Sequence, residues 1–132
     1  MSILANFTKV NLTNSPSVTI STYGLTFNKT VVDTMGSPDY VILLLDEENK
    51  RLAIQCSDNN QDIPFCVNKS NKINARINNK DFARKLFRIM EWSIYGTSLR
   101  SVGVWYPDEK AFIFDLKNAE RVIFLEKDES TN

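Results

Sequence analysis

The chain has 132 residues and a mass of 15.1 kDa, 42% of it apolar, and its 16 Lys and Arg balance 16 Asp and Glu with no histidine. That is the size of one globular domain, able to bury roughly two-thirds of its unfolded surface without disulfide or metal support. Without histidine, Ser-His-Asp and Cys-His nucleophiles, the 2-His-1-carboxylate iron site and every common zinc ligand set except all-Cys ones are excluded; with only Cys56 and Cys66, an all-Cys zinc site needs a second chain.

The opening MSILANFTKV has no basic n-region followed by a long apolar stretch, and no run approaches the ~18 apolar residues of a membrane span. A cytoplasmic protein, or one in a host cytoplasm if phage-encoded, is expected, with Cys56 and Cys66 reduced or, as the alternative, joined in a regulatory disulfide. Residues 1–15 are polar and mixed, an edge strand or an arm, and end at the turn signal Asn14-Ser15-Pro16. From Val18 the alternation of Val18, Ile20 and Thr22 with Thr19 and Ser21 predicts a strand, resumed after Gly24 by Leu25-Thr26-Phe27. Asn28 then caps a short helix over about 29–35, closed by Gly36.

Tyr40 to Leu45 and Arg51 to Gln55 flank the polar segment Asp46-Glu47-Glu48-Asn49-Lys50 and predict a β-hairpin. The continuous apolar run of its first strand implies burial on both faces, in a sandwich or at a subunit contact. Residues 57–79 are Asn-rich and read as a long loop, pinned by Ile63-Pro64-Phe65-Cys66-Val67.

Asn79 caps a second helix over about 80–94, with Asp81 in its first turn where the helix dipole favours an anion. At 100° per residue Phe82, Ala83, Leu86, Phe87, Ile89, Met90 and Ile94 fall on one arc. Arg84, Lys85, Arg88 and Glu91 fall opposite, with Trp92 at the boundary. A second hairpin follows: Val102, Val104 and Tyr106 alternate, Pro107-Asp108-Glu109-Lys110 turns, and Phe112-Ile113-Phe114 returns. Residues 117–120 read as a turn, 122–125 as a last strand and 127–132 as a disordered tail. The sum is one α+β domain: two β-hairpins in an antiparallel sheet, one main amphipathic helix and one short helix.

Charge is unevenly spread. Residues 1–68 carry four basic and seven acidic side chains, residues 69–100 eight and two, and residues 101–132 four and seven. The basic segment holds Lys69, Lys72, Arg76, Lys80, Arg84, Lys85, Arg88 and Arg100, bordered by Phe65, Trp92, Tyr95, Trp105 and Tyr106. Guanidinium and aromatic surfaces suit phosphates and stacked bases, so Arg76, Arg84, Lys85, Arg88, Trp92 and Arg100 are the candidate ligand-binding residues. The competing reading makes the cations the wet face of a helix and the aromatics core.

Asp46, Glu47 and Glu48 offer oxygen ligands for a divalent cation, or are a solvated turn. No GxxxxGK[ST] or GxGxxG occurs, and no Ser or Thr sits in a nucleophile motif. Neither catalytic residues nor a cofactor or metal are expected.

Leu25 to Gly36 followed by Tyr40 to Gln55 resembles the AbrB/MazE-like swapped-hairpin module, which runs strand, Pro-Lys cap, short helix, Leu-Gly, strand, acidic turn, strand. Here Asn28-Lys29 stands for the cap, Met35-Gly36 for Leu-Gly and Asp46 to Lys50 for the turn. The resemblance, over residues 17–56, implies an interleaved dimer and often a DNA-binding regulator or antitoxin. Residues 17–56 hold only Lys29, Lys50 and Arg51 against five acids, so the DNA contacts are expected from the later basic helix.

Fourteen Asn residues fit a low-GC bacterium or its phages. The expected function is that of a non-enzymatic oligomeric regulator binding DNA or another polyanion through residues 69–100. The alternative is a phage or mobile-element anti-defence inhibitor that blocks a host nuclease or sequesters a nucleotide signal. Expected partners are a second copy, an anionic ligand such as DNA or a nucleotide, or a host protein, and not a membrane.

Overall fold

The computed structural model describes residues 3–6, 15–67, 74–93 and 98–122. The fold is mixed α+β, dominated by an antiparallel sheet that is nearly closed on itself. Strands β1 (Ser17–Ser21) and β2 (Gly24–Phe27) form a tight hairpin, followed by helix α1 (Lys29–Met35). Strands β3 (Tyr40–Asp46) and β4 (Arg51–Ser57) pair along their full length. Then come β5 (Ile63–Pro64), β6 (Cys66–Val67), β7 (Ala75–Asn78), helix α2 (Lys80–Met90), β8 (Leu99–Tyr106), β9 (Ala111–Asp115) and β10 (Glu120–Arg121).

The strand order β5-β3-β4-β9-β8-β1-β2-β7-β6 places β5 and β6 at opposite ends of the sheet, yet only Phe65 separates them in sequence. Pro64 pairs with Tyr40 on one edge and Cys66 with Arg76 on the other. One five-residue segment therefore clasps both edges. The Phe65 amide donates to the Asp39 carbonyl at 2.9 Å, and its ring is buried. Edge strands present unpaired amides and carbonyls, and closure satisfies them.

The expectation of a loop over 57–79 is thus corrected for the described residues; 68–73 lie outside them. Its apolar patch is a pair of strands, and Ala75–Asn78 is a third, with Ala75 and Ile77 inside and Arg76 and Asn78 outside. Pairing with distant strands supplied the hydrogen bonds that local composition does not announce.

β8 serves two neighbours in succession. Leu99 to Val102 pair with β1, and Gly103 to Tyr106 pair with β9. Gly103 sits where the strand changes partner, and a Cβ there would lie 2.5 Å from the Phe114 ring. Inward residues form a run of aromatic contacts: Phe65 to Phe27 at 5.6 Å, Phe27 to Phe114 at 5.9 Å, Phe114 to Phe112 at 5.8 Å and Phe112 to Trp105 at 5.0 Å between centroids.

Asn28 joins α1 to β1. Its Oδ1 accepts from the amides of Val31 and Ser17, each at 3.2 Å, and its Nδ2 donates to the Ser15 carbonyl at 2.7 Å. Gly36 ends the helix at φ 80°. One further boundary differs from expectation. α2 stops at Met90 because Glu91 turns left-handed at φ 59°; position 94 lies outside the described residues. Among the described residues the last strand is Glu120–Arg121, paired with Arg100 and Leu99; of the expected strand over 122–125 only Val122 is described. Val122 follows it with an amide donated to the Ser98 carbonyl, and residues 123–132, with the expected tail, lie outside the described residues, as do 1–2 and 7–14 of the expected arm. Among the described residues no helix is long and apolar enough to cross a membrane.

Candidate functional site

α2 begins where the Asn79 Oδ1 accepts from the Phe82 amide at 2.9 Å, with Asp81 in the first turn and Arg88 in the last, both favourable to the helix dipole. Ala83, Leu86 and Phe87 are buried, and the helix packs against β2. That leaves Arg84 and Arg88 exposed on the outer side, four residues apart and so one above the other.

The helix ends in a Schellman motif. The Glu91 amide donates to Arg88 at 3.2 Å and the Trp92 amide to the Phe87 carbonyl at 2.9 Å. The accompanying apolar contact is Phe87 against Trp92, edge to face at 5.5 Å. Trp92 is half-buried and fixed in place by the helix end.

Arg84, Arg88 and Trp92 line one cleft of about 590 Å³, together with Thr22, Phe87 and Glu91. Among the described residues neither arginine has an ion-pair partner. The cleft therefore carries two guanidinium groups, one carboxylate, a hydroxyl and an indole. Its excess positive charge and planar donors suit an oxygen-rich anion.

No protein-family model, curated protein or solved structure matches the chain.

The other candidates lie apart from this cleft. Lys85 forms an exposed ion pair with Glu47 of the β3–β4 turn at 3.2 Å. Arg76, on β7, lines a different cleft of about 710 Å³ among Leu43, Ile63, Ile77 and Phe82. Arg100 stands on β8 opposite Thr19 and Glu120. Lys80 lies over the Tyr23 ring, 5.5 Å from its centroid. Among the bordering aromatics, Phe65 is core, Trp105 packs on Phe112, and Tyr106 faces outward from β8. Lys69, Lys72 and Tyr95 lie outside the described residues.

The acidic turn has its own partners. Asp46 accepts from the Asn49 amide and side chain and from Arg51 Nη2 at 2.9 to 3.1 Å, and these bonds hold its carboxylate down to about 2. Among the described residues no group of three or more Cys, Asp or Glu is placed to hold a metal ion. Cys56 is half-buried, donates weakly to the Met35 carbonyl at 3.5 Å, and has its pKa pushed up by burial.

Three cleft residues, Thr22, Phe87 and Glu91, are absent from the sequence-derived set, and of these Phe87 is a buried core residue of α2. Thr22 belongs to the β1–β2 turn, and only the packing of α2 on β2 brings it near the arginines. Glu91 is visible in the sequence as a charge near Arg88, and in the fold it caps the helix in a left-handed conformation and lines the same cleft.

Proposed function

We propose that the chain is a non-enzymatic, cytoplasmic binding protein of bacterial or phage origin, an AbrB-like regulator in its most specific form, that holds a polyanion such as DNA through Arg84 and Arg88. The observation that carries this reading is that the two guanidinium groups share one cleft while neither is neutralised by a described carboxylate partner. Hairpins β3–β4 and β8–β9 with α2 packed on the sheet supply a rigid base for that helix face. Lys85 is left out of the contact set, because releasing it from Glu47 costs an existing ion pair. Arg76 and Arg100 are left out because they stand at other places on the sheet.

Phosphate contacts release counterions, so each one lost reduces the slope of log affinity against log salt by about 0.9. Fluorescence anisotropy with a labelled duplex, repeated across a salt series, tests the reading. Arg84→Ala with Arg88→Ala lowers affinity and flattens the slope by about 2. Equal affinity and slope in the double variant would overturn it.

A second reading uses the same cleft for a mononucleotide or cyclic nucleotide, as an anti-defence protein that sequesters a signal would. The indole of Trp92 beside two arginines favours it, since base stacking and phosphate pairing would then act together. Labelled nucleotide in place of duplex separates the two: tight, weakly salt-dependent binding of the small ligand, lost in Trp92→Ala, supports sequestration over DNA binding.

A further inference from the structure

Seven large hydrophobic side chains are exposed among the described residues, and four of them, Leu44, Val102, Val104 and Tyr106, share one surface. It is the outer face of the β3-β4-β9-β8 portion of the sheet. Register aligns its residues in rows. Leu44 lies opposite Ala53, Ala53 opposite Ile113, and Ile113 opposite Val104. The next row is Ile42, Gln55, Ala111 and Tyr106. On the other side the apolar rows are bounded by Asp46, Arg51 and Asp115, again direct neighbours across strands. The inner face of the same strands is filled by Leu52, Ile54, Phe112 and Phe114. The apolar run of β3 is therefore committed on both sides, one to the core and one to the surface.

We propose that this face packs against the same face of a second copy, about a two-fold axis parallel to the strands and passing between β4 and β9. That operation exchanges β4 with β9 and β3 with β8 while keeping the rows level. Ala53 then meets the partner's Ile113, and Ile113 meets the partner's Ala53, so a small residue faces a large one twice. Leu44 meets the partner's Val104. In the bounding row Arg51 meets the partner's Asp115, and the reverse pair forms as well. Ala53 with Ile113 and Arg51 with Asp115 are thus complementary to themselves under one rotation, which is what an isologous contact requires, while Asp46 meets the partner's Val102 at the rim. Arg51 gives one described bond to Asp46, leaving further donors of its fork.

Two other features favour a copy of the same chain. The net charge is zero, so two copies meet without long-range repulsion. The clasp at 63–67 pairs with Tyr40 and Val41 on one edge and with Ala75 and Arg76 on the other, which shortens both edges open to strand addition and favours face-to-face packing at about 10 Å. Four strands about 4.8 Å apart and five residues of about 3.4 Å give a flat footprint of roughly 300 Å² per copy. A standard interface covers about 800 Å² per partner, so this dimer forms and dissociates in the micromolar range or above.

Sedimentation equilibrium tests the proposal at loadings from about 10 μM to about 1 mM, the range where so small an interface populates both species. The mean mass of the wild type rises from 15.1 kDa toward twice that value. Leu44→Glu with Val104→Glu holds it at the monomer. R51D sets a carboxylate against the partner's Asp115 and weakens association about tenfold, and adding D115R restores it. Amide chemical shifts on dilution report independently of any variant, and they move on Leu44, Ala53, Val104 and Ile113. A wild type that stays monomeric throughout, a mass that climbs past the dimer, a charge reversal that fails to restore association in a folded protein, or shifts confined to another surface each overturns the proposal. None of these readouts involves Arg84 or Arg88, so it stands or falls apart from anion binding.

Discussion

Phe65 meets Phe27 edge to face, 5.6 Å between ring centroids, at the point where the chain passes from one edge of the sheet to the other. The ring of Phe65 is buried beneath the clasp, and its amide is bound to Asp39. Removing the ring leaves a cavity under the segment that joins β3 to β7. Phe65→Ala is expected to cost about 3–5 kcal/mol, the range for deleting a buried phenylalanine. Urea denaturation measures it; a loss below about 1 kcal/mol would mean that the clasp does not hold the sheet closed.

Gly103 has no room for a side chain. A methyl group there would overlap the Phe114 ring, which is itself fully buried between Phe27 and Phe112 and has nowhere to retreat. Gly103→Ala should destabilise by about 1–3 kcal/mol through overpacking, and a lowered thermal midpoint with an unchanged far-ultraviolet spectrum is the expected record.

At Glu91 the opposite holds. A non-glycine residue in the left-handed region at a helix end costs about 1 kcal/mol, and here it also sets a carboxylate beside Arg84 and Arg88. Glu91→Gly is therefore expected to raise the melting temperature while tightening anion binding in the anisotropy assay. Weaker binding in a more stable variant would show that the carboxylate contacts the ligand.

Asp46 supplies a pH signature. Hydrogen bonds from Asn49 and Arg51 favour its charged form, lowering its pKa from an ordinary 3.8 to about 2. A depressed folded pKa means that its contribution is present above the unfolded value and fades as pH falls from about 4 toward 2. Carboxyl chemical shifts followed through that window should give a midpoint near 2 for Asp46, and Asn49→Ala should move it upward. An unshifted midpoint in the wild type would show that the turn network does not persist in solution.

Burial raises the pKa of Cys56 and its thiol faces the Met35 carbonyl. The nucleophile is the thiolate, so alkylation by iodoacetamide at pH 8 should be slower at Cys56 than at an exposed cysteine. Tryptic mass mapping of partially labelled protein measures this site by itself.

Much of the local design is legible in the chain. Asn28 and Asn79 can be read as caps because a cap is a contact across three residues, and each oxygen does accept from the third amide onward. The spacing of Ala83, Leu86 and Phe87 marks the buried side of α2 for the same reason: helical periodicity is a near-neighbour property. Arg84 and Arg88 could likewise be placed together from their separation alone.

What the sequence by itself determined, then, is the mixed α+β composition, the helix starts and the identity of the exposed arginine pair, all set by bonds between residues three or four apart. Tertiary structure decided the rest. Ile63 to Val67 became a clasp because partners at Tyr40, Val41, Ala75 and Arg76 supply its hydrogen bonds, and no local pattern announces partners in two distant strands. Lys85 was withdrawn from the basic face by Glu47, Arg76 and Arg100 were carried elsewhere on the sheet, and Thr22 was brought in. The second apolar side of β3 became an exposed face because alternate residues of a strand point to opposite sides, and the core has room for only one of them.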